Sequence, residues 1–196
     1  MKNYLMILIL GGLIIQFSCQ QNNNTTISTD LTGFTQKEVA GGAGIKVEKR
    51  DDKGNIVEEG VLINGVKNGA WITYHPNREK VVKTLANYVN NELNGVYLTF
   101  SNRGQIETLT TYSNGVYDGD FAKFRFGNLE ESATYVNGEL HGIYRKYHQN
   151  NRIQTEATYK NGKQDGMYKF FDDEGNMLME YQYKDGEKIT GGLTNQ

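Results

Sequence analysis

The residues best suited to chemistry in this sequence are three histidines, one cysteine and a few acidic pairs. His141 and His148 stand seven apart, and His75 lies far upstream. A structural zinc site takes three or four convergent ligands, often thiolates, and the lone Cys19 is remote from all three histidines. Asp51-Asp52 and Asp172-Asp173-Glu174 offer oxygen ligands for Ca²⁺, but both fall where the chain is expected to turn, so they read as solvated turns. Glu130-Glu131 resembles the paired carboxylates of a glycosidase. Neighbours on a regular strand point to opposite faces, so the two are not expected to share a substrate. There is no nucleophile motif and no phosphate loop. The expectation is a chain that is not an enzyme, with no catalytic residue, metal or cofactor. The net charge of −2, without clustered basic residues, gives no nucleic-acid footprint.

A repeated frame decides how these side chains are positioned. The stretch YVNGELHGIYRKY, Tyr135 to Tyr147, recurs along most of the chain. Its lead tyrosines are Tyr88, Tyr112, Tyr135, Tyr159 and Tyr183, spaced 24, 23, 24 and 24 residues apart. Two residues later comes a turn pair: Asn90-Asn91, Asn114-Gly115, Asn137-Gly138, Asn161-Gly162 and Asp185-Gly186. Column seven is glycine: Gly69, Gly95, Gly119, Gly142 and Gly166. Column nine is aromatic: Trp71, Tyr97, Phe121, Tyr144 and Tyr168. Column twelve is aromatic too: Tyr74, Phe100, Phe124, Tyr147 and Phe171. The first unit starts at Leu62, where a tyrosine is due. His141 takes the place of Asn68, Asn94, Asp118 and Asp165, which marks it as a turn residue. Register over this many columns means a repeat architecture, in which each unit touches only its neighbours.

Each unit reads as two antiparallel strands. The first, such as Val96–Phe100, carries columns nine and twelve. A polar turn follows, and the second strand ends at the lead tyrosine. Asn-Gly between strand-like runs is a strong hairpin signal. Ile45–Arg50 and Ile56–Leu62 flank a turn at 51–55 and form a capping hairpin. Strand parity places Ala86, Thr110, Ala133, Ala157 and Tyr181 on the lead tyrosine's face. It places Val82, Ile106, Leu129, Ile153 and Met177 there as well, and Glu107, Glu130, Gln154, Glu156 and Glu180 on the other. Columns nine and twelve differ by an odd number, so either both faces are partly aromatic or a bulge realigns them. Lead tyrosines two strands apart, roughly 9.5 Å, are too distant to stack, so intervening side chains must fill the gaps. The column-nine rings Tyr97, Phe121, Tyr144 and Tyr168 are the candidate binding strip.

The N-terminus opens with Lys2 and an apolar run from Tyr4 to Ile15, the pattern of a secretory signal. That run is shorter than the roughly 20 residues a membrane span takes. Cys19 follows Ser18 directly after it. The polar run 20–26 buries nothing, so a disordered tether is expected through Gly44. The expected organisation is a signal peptide at 1–18, Cys19 and tether at 19–44, the capping hairpin at 45–61, tandem repeats at 62–190 and a tail at 191–196.

Two resemblances sharpen these expectations. Ser18-Cys19 after the apolar run is similar to the lipobox of bacterial lipoproteins, though Gln16 stands where leucine is usual. That implies cleavage before Cys19, its lipidation, and export to the cell envelope as an outer-membrane lipoprotein anchored through lipid. The frame Y-x-N-G-x-x-x-G-x-[WYF]-x-x-[YF] over about Leu62 to Gly186 resembles the MORN repeat in its variant bacterial form, often filed under an antitoxin name. The resemblance implies an all-β fold, an elongated single antiparallel sheet of tandem hairpins, acting as a scaffold or binding surface for a protein partner. Its motif residues are structural, so the lead tyrosines and column-seven glycines are expected to build the sheet. Carbohydrate binding, membrane association and an antitoxin-like role are the alternatives. A sheet with one apolar side also makes a homodimer an expectation.

Overall fold

The computed structural model describes residues 29–39, 41–76, 78 and 80–194. The signal peptide and Cys19 lie outside the described residues. Sixteen strands form one antiparallel sheet: β1 (Phe34–Glu38), β2 (Ile45–Arg50), β3 (Ile56–Ile63), β4 (Val66–Tyr74), β5 (Val82–Val89), β6 (Glu92–Leu93), β7 (Gly95–Phe100), β8 (Ile106–Ser113), β9 (Val116–Arg125), β10 (Asn128–Val136), β11 (Glu139–Leu140), β12 (Gly142–Tyr147), β13 (Ile153–Lys160), β14 (Lys163–Phe171), β15 (Met177–Lys184) and β16 (Glu187–Leu193). Each strand pairs with its sequence neighbour, and the two-residue β6 and β11 pair with β5 and β10 beside the main path. The sheet is open, with β1 and β16 at its edges, and no helix occurs among the described residues. The all-β sheet of tandem hairpins is as expected.

The turns explain the recurring Asn-Gly. Asn114 and Gly115 have φ of 49° and 77°, and Asn137 and Gly138 have 50° and 84°. Two successive left-handed residues make the hairpin turn whose twist matches the flanking strands, and asparagine and glycine adopt it most readily. These turns also bond to the preceding unit. The amides of Gly115, Gly138, Gly162 and Gly186 donate to the carbonyls of Leu93, Tyr117, Leu140 and Gln164 at 2.7–2.9 Å. Asn91 breaks the sequence pattern for a reason the structure supplies. Its amide donates to Lys67 O, and its side-chain Oδ1 accepts from Lys67 N and Thr29 Oγ1, both at 2.7 Å.

Two irregularities recur inside each unit. The column-seven glycine sits within the strand run, not at a hairpin corner. Thr110 pairs with Phe121 and Tyr112 with Tyr117, so Asp118–Asp120 together oppose Thr111. Gly119 takes φ +116°, and a Cβ there would stand 3.0 Å from Thr111 Cβ. The second irregularity is a bulge five residues before the lead position. Thr99 pairs with Thr108 but Phe100 with Ile106, leaving Glu107 extra. The same shift leaves Val57, Lys83, Glu130, Gln154 and Leu178 extra.

The bulge corrects the parity reading. It carries Val82, Ile106, Leu129, Ile153 and Met177 over to the face of column twelve, opposite Tyr74, Phe100, Phe124, Tyr147 and Phe171. Columns nine and twelve stay on opposite faces, so both faces are partly aromatic. Glu130 turns toward the tyrosine face, where it pairs with Lys123 at 3.2 Å and Arg125 at 2.8 Å. Glu131, opposite Lys123, lies on that face too. The expectation that Glu130 and Glu131 point apart fails for this reason.

Strands occupy part of the segments expected as tether and tail. Phe34–Glu38 pairs with Ile45–Arg50 as an edge strand, and Gly191–Leu193 extends β16 against β15. Residues 29–33 cross the tyrosine face. Thr29 N donates to Gly65 O, and Leu31 and Phe34 pack on the buried cluster of Val47, Leu62, Trp71 and Ala86. Leu62, in the lead column, is buried under this strap, whose Phe34 ring lies 6.2 Å from Trp71. Gly60 makes room there, because a Cβ would meet Trp71 Cε3 at 2.0 Å.

Gly60→Ala should therefore cost about 1–3 kcal/mol through overpacking, whereas Gly192→Ala, with nothing within 4 Å, should leave a urea melt unchanged. Equal melts for the two variants would contradict the packing role of Gly60. The β9–β10 turn gives a second prediction. Phe126 sits at φ 52°, 82% exposed, ahead of Gly127 at φ 83°. A bulky residue resists that conformation and asparagine accepts it, so Phe126→Asn should stabilise the chain by about 0.5–1 kcal/mol, read as a raised Tm.

Candidate binding face

Rings and small residues alternate on the tyrosine face. Each column-nine aromatic lies opposite a small residue of a neighbouring strand: Trp71 opposite Ala86, Tyr97 and Phe121 opposite Thr110, and Tyr144 and Tyr168 opposite Ala157. Ala86, Thr110, Ala133 and Ala157 are buried as a result. Two residues along each second strand, the lead tyrosine meets the same ring edge-on. Tyr97–Tyr112, Phe121–Tyr135 and Tyr144–Tyr159 have centroids 6.0–6.1 Å apart and planes 71–79° apart. Tyr168 contacts Tyr183 at 6.4 Å and Tyr181 at 6.1 Å. Edge-to-face pairs are favoured because the positive ring edge meets the negative ring face.

The gap between successive tyrosines is filled from a column the sequence reading did not single out. Five residues after each lead position stand Lys67, Leu93, Tyr117, Leu140, Gln164 and Lys188. Tyr117 lies 4.8 Å from Tyr112 and 5.3 Å from Tyr135, making a continuous ring row in the middle of the sheet. Lys67 Nζ sits 4.1 Å over Trp71 and 5.2 Å over Tyr88, and Lys188 Nζ sits 4.4 Å over Tyr181. These are cation–π contacts. The column shares a position and not a residue type, so a frame built on repeated identities passes over it.

The strip residues Tyr97, Phe121, Tyr144 and Tyr168 all lie on this one face and are all half-buried. The lead tyrosines Tyr88, Tyr112, Tyr135, Tyr159 and Tyr183 share it. Gly69, Gly95, Gly119, Gly142 and Gly166 all take positive φ at the strand kinks. His75 and His148 serve the other ends of the hairpins. His75 Nε2 bonds Phe100 O at 2.8 Å and His148 Nε2 bonds Phe171 O at 3.0 Å, tying each turn to the next unit. The His141 amide donates to Thr134 O. Among the described residues no three His, Cys, Asp or Glu side chains gather as a metal site would require. Asp51 and Asp172 accept from the amides and side chains of Asn55 and Asn176 inside their own turns.

Packing also sets the ionisation of the phenols. Burial raises the Tyr88, Tyr135 and Tyr159 hydroxyls above the ordinary tyrosine value. Burial and then the Tyr117 hydroxyl raise Tyr112, and burial and then the Glu131 carboxylate raise Tyr144. On the opposite face Tyr74 is pushed up to about 12 by burial and by its hydrogen bond to Glu59. A raised folded pKa favours the neutral phenol. Its stabilisation is complete below the unfolded value near 10 and is lost as pH climbs through the folded values. Tyrosinate absorbance of the folded chain should thus lag that of the urea-unfolded chain from about pH 10 upward. Superimposable titrations would show that the rings are not held as described.

The comparisons with known proteins agree with this geometry in part. Residues 140–161 and 164–185 match the MORN repeat variant family. No curated protein matches the sequence. Among solved structures, a mutant of S. aureus TarM in complex with fondaparinux, α-GlcNAc-glycerol and UDP is 11% identical, with a TM-score of 0.34 over 48% of this chain and 19% of that one. A second TarM crystal structure is 12% identical, with a TM-score of 0.34 over 55% and 21%. This chain thus spans about a fifth of the TarM chains' length, and likeness at this level carries no argument about fold or activity. The two matched stretches are the fourth and fifth units of a frame whose turns, kinks and bulges recur back to Leu62, and those two units match the MORN repeat variant family.

Proposed function

We propose that this chain is a non-enzymatic scaffold, exported and held in the bacterial cell envelope by a lipid on Cys19, whose ring face binds a protein partner. The observation that supports it best is the row of half-buried rings at Tyr97, Phe121, Tyr144 and Tyr168, repeated on one face of a sheet that has no second layer among the described residues. Aromatic side chains with large, conformationally restricted surfaces are the usual anchors of protein interfaces. Ion pairs lie on the opposite face at Lys46–Glu59, Arg145–Glu156 and Lys169–Glu180, and on the ring face at Lys123–Glu130 and Arg125–Glu130. His75 and His148 bond backbone carbonyls, Asp51 and Asp172 accept inside their own turns, and Glu130 is ion-paired. The polar segment after Cys19 gives the sheet distance from the membrane.

Two measurements test this reading. Metabolic labelling with an alkyne fatty acid should mark the native chain and not Cys19→Ser; label on both would reject the anchor. A photo-crosslinking residue placed at Tyr144 in cells should yield one discrete protein adduct, absent when the same residue replaces Arg145 on the opposite face. Adducts only with glycan, with lipid or with a second copy of this chain would reject a distinct protein partner.

A further inference from the structure

The N-terminal strap covers one unit of the ring face. In the first unit the face is covered by the strap Thr29–Phe34. Phe34 N–H donates to Leu31 O at 3.0 Å, closing a four-residue turn with Gly33 at φ +81° in its third position. That positive φ is what a type II turn asks of its third residue, and glycine meets it without strain. The turn brings Leu31 and Phe34 to the same side, and both pack on the cluster of Val47, Leu62, Trp71 and Ala86. Asp30 Oδ1 steadies it by accepting from Thr32 N at 2.9 Å and Thr32 Oγ1 at 2.7 Å.

Covered and uncovered units can be compared directly. Trp71, under the strap, is 2% exposed. Tyr97, Phe121, Tyr144 and Tyr168 hold the same column and remain only half-buried. Each has its lead tyrosine on one flank, as Trp71 has Tyr88, and among the described residues no ring contact on the other flank corresponds to that of Phe34 with Trp71. The central strands are paired on both edges, so an added strand cannot reach these rings. A turn laid across the face, as the strap is laid, can.

We infer that the ring strip from Tyr97 to Tyr168 takes a β-turn of a partner protein, with an aliphatic residue in its first position, glycine in its third and an aromatic residue in its fourth. This rests on the protein-binding reading above and specifies the partner's chemistry. The aromatic fourth residue stands tilted against a column-nine ring, as Phe34 does at Trp71 with 58° between the ring planes, and the aliphatic first residue packs on the apolar side chains beside it.

The probe is a fluorescein-labelled peptide with the sequence of residues 29–38, added to the full-length chain and followed by anisotropy. Saturable binding is expected, about tenfold weaker for Tyr144→Leu, the loss typical of one aromatic anchor. Tyr144→Leu keeps an apolar side chain of similar reach, and its circular dichroism and Tm confirm the fold. A peptide carrying Leu31→Ser and Phe34→Ser should not bind. Trp71 is the sole tryptophan, so its emission reports the native strap. It should stay constant as the peptide binds, whereas a red shift with binding indifferent to Tyr144→Leu would mean strap exchange at the first unit and overturn the inference. Absence of saturable binding overturns it too. If the peptide fails while the Tyr144 crosslink still captures a protein, only the turn chemistry falls and the binding face stands.

Discussion

A single layer of sheet sets the terms for everything else in this molecule. No second sheet or helix lies above either face among the described residues, so outside the first unit's strap a side chain is covered only by its neighbours on the same face. Among the described residues the buried hydrophobic positions are few, namely Val47, Leu62, Val66, Trp71, Ala86, Ala133 and Ala157. Three of the seven are alanines lying beside larger rings. The fold meets this limit by alternating large and small side chains, so that each ring covers a small neighbour and is itself covered on one flank. An edge-to-face pair adds about 0.5–1.5 kcal/mol beyond its burial, and the contact is made again in every unit. Stability of this kind accumulates along one dimension, from unit to unit. The backbone adds a second neighbour coupling through the amides of the Asn-Gly turns and through His75 and His148 at the opposite hairpin ends.

The features legible in the sequence are those in which one residue type is required at one position. Asparagine and glycine at a two-residue turn, and glycine at a strand kink, are demanded by positive φ, so the same letters return and the architecture can be read from them. The bulge is equally regular in space but was hidden. Its extra residue is Val57, Lys83, Glu107, Glu130, Gln154 or Leu178, because a bulge of this kind asks nothing special of the side chain. Missing it inverted the assignment of Ile106 and its equivalents and separated Glu130 from Glu131. The filler column hid for a related reason: lysine, leucine, tyrosine and glutamine can all occupy a gap between rings. The strap was concealed by its polar setting, since Leu31 and Phe34 are the apolar residues in a stretch that otherwise reads as linker.

The departures from the frame turn out to be paired. Leu62 replaces the lead tyrosine where Phe34 arrives from the strap to supply a ring. Gly60 replaces alanine where Trp71, the largest side chain in column nine, needs more room. Asn91 replaces glycine where a side-chain acceptor is needed to hold Thr29 and Lys67. All three lie in the first units, and all serve the same N-terminal strap. An end unit of a repeat array has one neighbour missing and must be finished differently; here the chain finishes it with its own N-terminal segment.

The two faces then differ in what they have left to offer. On the face of column twelve, Tyr74 already bonds Glu59, Tyr147 lies within reach of Ser132, and carboxylates and cations pair across strands. Exposed pairs of that sort contribute little to stability, but they satisfy the polar groups and keep that surface hydrated. The ring face from Tyr97 onward has fewer such pairs and more aromatic edge. Burial favours the neutral phenols of Tyr112, Tyr135, Tyr144 and Tyr159, so bringing an apolar surface against those rings desolvates few charges. An apolar surface laid on that face would gain what the strap gains in the first unit, the remaining burial of each ring, at roughly 25 cal/mol per Å² of apolar area. The same single-layer constraint that leaves the sheet short of a core is therefore what leaves a periodic aromatic surface open to be covered.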